Sequence, residues 1–278
     1  MVPRSVHSWL QGFCLCLFAA AAIAQSQPDK KPFEPYVGLP GKDVIWLPAE
    51  LAMVNKMLDL AKVTTNDVVM DLGSGDGRTV IGAAKRGARG IGVEFNPDMV
   101  EYARRNAERE GVSNRVMFER GDLFEADLTR ASVITLFLLP TINIKLRPRL
   151  LDLKPGTRIV GNTFTMDDWQ PDDTLSDDSK GQSCSFNCIA YLWVVPAKVS
   201  GIWQTEHGQM ALEQKFQMVS GTLRNGNQST SVAGKLLGDR ITLSGDGLEY
   251  SGRVVDGNSM EGTLRRDGDT SPWKASRN

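Results

Sequence analysis

Histidine is scarce in this sequence: its 278 residues hold two. His7 lies in the N-terminal segment, and His207 lies in the C-terminal third, where a solvated surface role suits it better than catalysis. No catalytic base of this type is legible. Cysteine is equally short, with four in the chain. Cys14 and Cys16 fall near the start, leaving Cys184 and Cys188, and two thiols do not close a zinc site, so no metal is expected. Residues four apart in an extended strand are separated by roughly 13 Å, against the ~7 Å that a disulfide tolerates. A bridge between the two therefore needs a turn at Ser185-Phe186-Asn187, and bridged or free thiols both stay open. Excess charge of either sign is missing too. Lys plus Arg at 32 against Asp plus Glu at 33 leaves −1, so no global field favours a polyanion or a membrane surface, and nucleic acid is not an expected partner. The basic run Lys145 to Arg149 reads as a solvated helix face.

The N-terminal apolar stretch from Phe13 to Ala24 is well short of the ~20 residues that cross a bilayer as a helix. Arg4 and His7 precede it, and Ala22-Ile23-Ala24 is a small-x-small pattern followed by Gln25-Ser26-Gln27. That is the layout of an export signal over residues 1–24 with cleavage after Ala24, which implies a periplasmic or secreted protein. Membrane association is expected only if this leader stays uncleaved, and a cytoplasmic location only if it does not function. The residues before Cys16 do not resemble a lipoprotein cleavage site.

Residues 25–42, rich in Pro, Gly and charge, read as an extended lead-in. Pro48 is expected to open a helix with Leu51, Val54, Leu58 and Ala61 on one face. Strand and helix patterns then alternate. Val68–Leu72, Arg89–Glu94, Val116–Glu119, Val133–Leu139 and Arg158–Gly161 read as strands. Helices are expected over Thr79–Arg86, from Pro97 through Glu110, and over Thr141–Leu153, with Pro148 kinking or splitting the last. Asn96-Pro97 supplies a cap and first-turn proline, and Gly111 a stop. Such alternation predicts an α/β fold with parallel pairing and helices on both faces of the sheet. Asp168 to Gln182 is acidic and turn-rich, and Ile189–Val195 is a further strand of the same sheet.

Beyond Pro196 the helical period vanishes. Short runs at Gly201–Gln204, Lys215–Val219, Ser231–Leu237, Arg240–Leu243, Leu248–Val255 and Met260–Leu264 alternate with Asn-Gly, Gly-Asp and Asp-Gly signals. They predict a small antiparallel all-β C-terminal domain of about seven strands, a barrel or sandwich over residues 198–278, after an α/β domain over residues 43–197. An apolar-x-Gly-x-apolar idiom recurs around Gly221, Gly234, Gly252 and Gly262, where glycine inside strands marks bulges or sharp bends.

Between the first strand and its helix stands Asp71-x-Gly73-x-Gly75-x-Gly77, whose glycines let backbone approach a ligand without Cβ collisions. Dinucleotide-binding dehydrogenases carry G-x-G-x-x-G instead, and the leading Asp71 suits a cationic ammonium group rather than a pyrophosphate. Glu94 ends the second strand 23 residues later, near the ~20-residue spacing at which a carboxylate meets ribose hydroxyls. Asp122, after the third strand, is placed to accept from an adenine amino group. Three carboxylates at the carboxyl ends of successive strands point to one ligand, since open α/β sheets bind there.

Val68 to Arg78, Gly92-Val93-Glu94-Phe95-Asn96-Pro97, Gly121-Asp122-Leu123-Phe124 and Leu136-Phe137-Leu138-Leu139-Pro140 together resemble class I S-adenosylmethionine-dependent methyltransferases. More narrowly, the run from about Asp43 to Trp169 resembles bacterial relatives of the lysine methyltransferases of the ATP synthase c-subunit and the adenine nucleotide translocase. The resemblance implies a Rossmann-like methyltransferase sheet with S-adenosylmethionine as methyl donor. It implies a cofactor-binding set of Asp71, Gly73, Ser74, Gly75, Glu94, Phe95, Asp122 and Leu123. In that set Asp71, Gly73 and Gly75 meet the methionine part, Glu94 the ribose, and Asp122 with Leu123 the adenine, while Leu138 to Pro140 border the methyl group and its acceptor. The implied acceptor is a protein lysine or, failing that, a small molecule; a binding protein without transferase activity is the alternative. Neither Asn-Pro-Pro-Tyr nor Asp-Pro-Pro-Tyr occurs, which argues against adenine-N6 or glutamine methylation. Where the relatives carry Val-Pro-Thr-Pro, Trp46-Leu47-Pro48-Ala49 stands here.

Overall fold

A short β-branched run, Val68-Val69, and an unbroken apolar stretch around Ile91 and Val93 place two strands side by side at the centre of the protein. These are β1 (Val68–Leu72) and β2 (Arg89–Glu94), paired in parallel. A computed structural model of the chain describes Met1, residues 32–176 and residues 189–277; residues 33–278 belong to one compact unit. The leader, the first part of the lead-in, and Cys184 with Cys188 lie outside the described residues.

The further sheet elements are β3 (Val116–Arg120), β4 (Val133–Leu136), β5 (Arg158–Asn162), β6 (Asp173–Ser176) and β7 (Ile189–Val194). They lie in the order β3-β2-β1-β4-β5-β7-β6. Strands β1 to β5 pair in parallel, whereas β7 runs antiparallel between β5 and β6, which departs from the all-parallel expectation. The strand order reverses at β1, between β2 and β4, which opens a crevice at the carboxyl ends.

Among the described residues, four α-helices cover the sheet: α1 (Leu51–Leu60), α2 (Arg78–Lys85), α3 (Pro97–Arg109) and α4 (Pro140–Leu151). Val69, Val133 and Val160 join Met53, Val54, Met57 and Leu58 of α1 in one core, while Met70, Ile134 and Ile159 join Ile142, Leu146 and Leu150 of α4 in another. Adjacent residues of each strand thus feed opposite cores, and both faces are covered. Helix α3 begins as expected, with the Asn96 side chain accepting from the Asp98 N–H at 2.9 Å and Pro97 in the first turn; such a cap contributes about 1 kcal/mol.

Several boundaries differ. Helix α1 starts three residues after Pro48, and Leu51 is 62 % exposed rather than part of the apolar face. Strand β4 stops at Leu136, and Phe137 and Leu138 beyond it line the crevice. Helix α4 runs unbroken through Pro148. Strand β6 arises within the acidic, turn-rich stretch; its one half-buried apolar residue, Leu175, packs on the α1 core, too little to register as a pattern.

The C-terminal part is a closed barrel of eight antiparallel strands: β8 (Gly201–Thr205), β9 (Gly208–Lys215), β10 (Met218–Asn225), β11 (Gln228–Leu237), β12 (Arg240–Gly245), β13 (Leu248–Val254), β14 (Ser259–Arg266) and β15 (Asp269–Ser276). Its core holds Trp203, Trp273, Tyr250, Met210 and Met260. The run Lys215–Val219 is not one strand but the turn from the end of β9 into β10, with Phe216 at φ +54°. That turn joins the barrel to the sheet: the Phe216 ring stacks on Trp169 at 5.9 Å, and Gln217 Nε2 donates to the Gln170 carbonyl at 2.7 Å.

Candidate functional site

The crevice at the carboxyl ends of β1, β2 and β3 is a pocket open at its mouth, holding about 1060 Å³ when the open mouth is counted. Seven of the eight expected site residues line it: Asp71, Gly73, Ser74, Glu94, Phe95, Asp122 and Leu123. Gly75 does not. A Cβ on Gly75 would sit 2.4 Å from the Trp46 indole nitrogen, so the close approach that its glycine permits is taken by the chain's own tryptophan. Likewise a Cβ on Gly77 would meet the Phe118 ring at 2.6 Å, which lets α3 and β3 pack against the loop. Gly73, Gly75 and Gly77 all hold left-handed φ, at +76°, +52° and +80°, which other residues adopt only with strain.

Asp71 is the electrostatic centre of the pocket. It lies level with Thr135 of β4 in the parallel register, and Thr135 Oγ1 donates to Asp71 Oδ1 at 2.6 Å. Burial pushes its carboxyl up to about 7; hydrogen bonds from Thr135 and Thr79 work against that rise, and the charges of Asp76 and Glu94 add to it. No cation among the described residues forms an ion pair with Asp71. A buried carboxylate without a positive partner is costly, and an ammonium group from a ligand would relieve it. The methionine end of S-adenosylmethionine carries such a group, so these residues fit the cofactor. Ser74 Oγ is buried without a hydrogen-bond partner among the described residues and lies against Gly92, where a Cβ would sit 2.6 Å from it.

Glu94 braces the loop. Its Oε2 accepts from the Gly75 N–H at 3.0 Å and its Oε1 from the Asn96 N–H at 2.9 Å, fixing the carboxylate at the pocket wall with lone pairs to spare for hydroxyls. Asp122 Oδ1 accepts from the Phe124 N–H at 2.8 Å, and its Oδ2 accepts from Lys42. The Lys42 contact, with the backbone bond behind it, holds the Asp122 carboxyl below its ordinary range. Phe95 is 46 % exposed and presents a ring face at the pocket edge. Of the expected methyl-side segment, Leu138 lines the pocket together with Phe137, whereas Leu139 is exposed and Pro140 starts α4. Behind them Phe137 stacks on Phe164 at 6.3 Å.

Sequence reasoning missed four residues of this site: Thr135, Thr79, Trp46 and Lys42. A threonine inside an otherwise apolar central strand was the legible sign for Thr135. Trp46-Leu47-Pro48-Ala49, where this chain departs from the pattern of its relatives, lines the pocket throughout.

Residues 71–173 match the family described as the ANTKMT methyltransferase domain. A protein-lysine N-methyltransferase of Saccharolobus islandicus is 38 % identical over 167 residues, which span 59 % of this chain and 95 % of that protein. The ATP synthase c-subunit lysine N-methyltransferase of Xenopus laevis is 33 % identical over 162 residues, 58 % of this chain and 67 % of the relative. Among solved structures, an RNA methyltransferase from Salinibacter ruber in complex with S-adenosyl-L-homocysteine is 46 % identical with a TM-score of 0.51, covering 55 % of this chain and 96 % of that one. A relative of this identity, covered over nearly its whole length, joins the buried unpaired carboxylate and the glycine loop: the chain belongs to the S-adenosylmethionine-dependent methyltransferases, in the family of the ANTKMT methyltransferase domain.

Proposed function

We propose that this methyltransferase acts on a lysine side chain of a protein. The observation that carries the reading is the match to the Saccharolobus islandicus protein-lysine N-methyltransferase over 95 % of that protein. In this reading Asp71 pairs with the cofactor's ammonium group, the Gly73-Ser74-Gly75 loop meets its methionine part, Glu94 its ribose hydroxyls, and Asp122, Leu123 and Phe95 its adenine. When bound, S-adenosylmethionine supplies an electrophilic methyl group on a sulfonium. The acceptor nitrogen would give its lone pair to the new N–C bond, and the bonding pair of the C–S bond would leave with sulfur. The acceptor must first lose a proton, since a lysine amine has an ordinary value near 10.4. Phe137 and Leu138 give the methyl side apolar walls, which favours the neutral amine. Catalysis then comes chiefly from holding the two reactants in line.

The 46 % identity to the Salinibacter ruber RNA methyltransferase favours a second reading, an RNA acceptor. The balanced charge of the chain supports the protein reading over it. Incubation with methyl-labelled cofactor and, in parallel, a protein fraction or purified total RNA separates them. Label recovered as methyl-lysine after acid hydrolysis is the expected result. Label in RNA alone, or cofactor binding with no transfer to either, contradicts it.

The leader pattern at Arg4 to Ala24 supports export. An exported methyltransferase needs a cofactor supply outside the cytoplasm. Mass spectrometry of the protein from fractionated cells is expected to find Gln25 at the N-terminus; a cytoplasmic protein with Met1 intact contradicts export.

A further inference from the structure

The segment ahead of α1 is tied down along its length. Arg105 Nη2 donates to the Phe33 carbonyl at 2.9 Å, and the Phe33 ring meets Tyr102 edge-on at 6.5 Å, fixing its start on α3. Two backbone hydrogen bonds, Gly38 N–H to the Trp46 carbonyl at 3.0 Å and Trp46 N–H to the Leu39 carbonyl at 2.8 Å, close residues 38–46 into a loop. Val44 packs on the core shared with α4, and Arg78 Nη1 donates to the Ala49 carbonyl at 2.6 Å beside the glycine loop. Among these anchors Lys42 reaches across the pocket edge. Its ammonium donates to Asp122 Oδ2 and lies 5.2 Å from the centroid of the Phe95 ring. One cation therefore bridges the carboxyl ends of β2 and β3.

That bridge uses the groups that the adenine reading requires. Asp122 Oδ1 is already engaged by the Phe124 N–H, and Lys42 engages the other oxygen with a charge-assisted bond. An adenine amino group is a neutral donor and forms the weaker contact with the same carboxylate. The Phe95 face, half exposed to solvent, offers itself either to the cation or to a base. The pair is only partly buried, with side-chain exposures of 38 % for Lys42 and 18 % for Asp122, so it is weak enough to exchange. The carboxylates of Asp43 and Glu125 add to that of Asp122 in favouring the charged form of Lys42.

We propose that Lys42 is a residue of the cofactor site that competes with the adenine ring for Asp122 and Phe95, so that cofactor affinity is set by an exchange on that carboxylate. The inference rests on the assignment of Asp122 to the adenine end. Titration calorimetry of the full chain with S-adenosylhomocysteine tests it without needing the acceptor. Lys42→Met, which keeps the apolar stem and removes the charge, is expected to tighten binding about two- to five-fold, the scale of a partly exposed ion pair. Lys42→Arg keeps the cation and is expected to bind no tighter than the natural protein. In an Asp122→Asn background the Lys42→Met change is expected to have a smaller effect, because the competition at the carboxylate is already gone and only that at the Phe95 ring is left. Unchanged or weaker binding by Lys42→Met overturns the proposal. If Asp122→Asn leaves affinity unchanged in a Lys42→Met background, where no cation competes for the carboxylate, the adenine assignment falls instead, and if the natural protein does not bind S-adenosylhomocysteine the whole site assignment falls.

Discussion

In the loop after β1, Gly73, Gly75 and Gly77 hold left-handed φ, whereas Gly221, Gly234, Gly252 and Gly262 of the barrel sit inside strands with no such φ. Both sets recur at short spacing in the sequence, yet they answer different needs. The loop glycines let the chain turn sharply between β1 and α2 and admit Trp46 and Phe118 from elsewhere in the fold. The barrel glycines stand midway between two buried residues on one strand face, as Gly221 does between Val219 and Leu223. A Cβ on Gly234 would lie 1.8 Å from the Thr242 carbonyl oxygen, and one on Gly262 2.0 Å from that of Ser251. They are not the bulges that in-strand glycine often marks, since the register runs unbroken through all four. Their task is to let strongly coiled strands approach each other in a small closed barrel.

The sharpest way to break this comparison is to add one methyl group on each side. Gly234→Ala is expected to cost about 3 kcal/mol or more, since backbone rather than a movable side chain blocks the Cβ, lowering the melting temperature by ~10 °C. At a temperature where it stays folded, its affinity for S-adenosylhomocysteine is expected to match that of the natural protein. Gly75→Ala adds ~1–2 kcal/mol of backbone strain and displaces the Trp46 indole, so it is expected to lose affinity about ten-fold with a smaller loss of melting temperature. Equal effects of the two changes on binding would erase the distinction.

A comparable effect sharpens the electrostatic side of the comparison, since the barrel, among its described residues, buries no carboxylate to match Asp71. Its carboxyl, raised to about 7 by burial, is largely protonated at pH 6 and ionised at pH 8. A cofactor ammonium favours the ionised form, so binding releases a proton below pH 7 and affinity rises with pH. About a ten-fold gain in affinity for S-adenosylhomocysteine between pH 6 and pH 8 is expected, and Asp71→Asn is expected to bind weakly with a flat profile. A natural protein whose affinity falls over that range would contradict the role of Asp71. The same rise has the opposite sign for folding: a carboxyl whose folded value exceeds its ordinary one favours the folded state at low pH, and this contribution is lost as pH rises through 7.

Much of the α/β part was legible because its signals are local. Strands β1 and β2 follow the apolar runs Val68 to Leu72 and Gly90 to Val93, and Asn96, Pro97 and Gly111 bound α3 through cap chemistry that needs no tertiary contact. The barrel turns were legible for the same reason: Asp246-Gly247 and Asp267-Gly268 both hold paired positive φ, the signature of tight hairpins. Strand β15 left little trace, because Trp273 and Ala275 are its buried residues and the rest is polar. Lys215–Val219 misled because Phe216, Met218 and Val219 read as one apolar run, although Phe216 turns away to pack on Trp169 and Met218 is exposed. In the site, Asp71, Glu94 and Asp122 followed from strand ends. Lys42, which meets Asp122 from 80 residues away, left no local trace.

The most direct measurement is a crystal structure of the protein with S-adenosylhomocysteine bound. The ligand is expected in the crevice at β1 to β3, its ammonium on Asp71, its ribose hydroxyls on Glu94 and its adenine at Asp122 and Leu123 with Lys42 moved off the carboxylate. Ligand bound elsewhere, in the barrel or along its outer face, with the Asp71 pocket empty, would contradict this assignment.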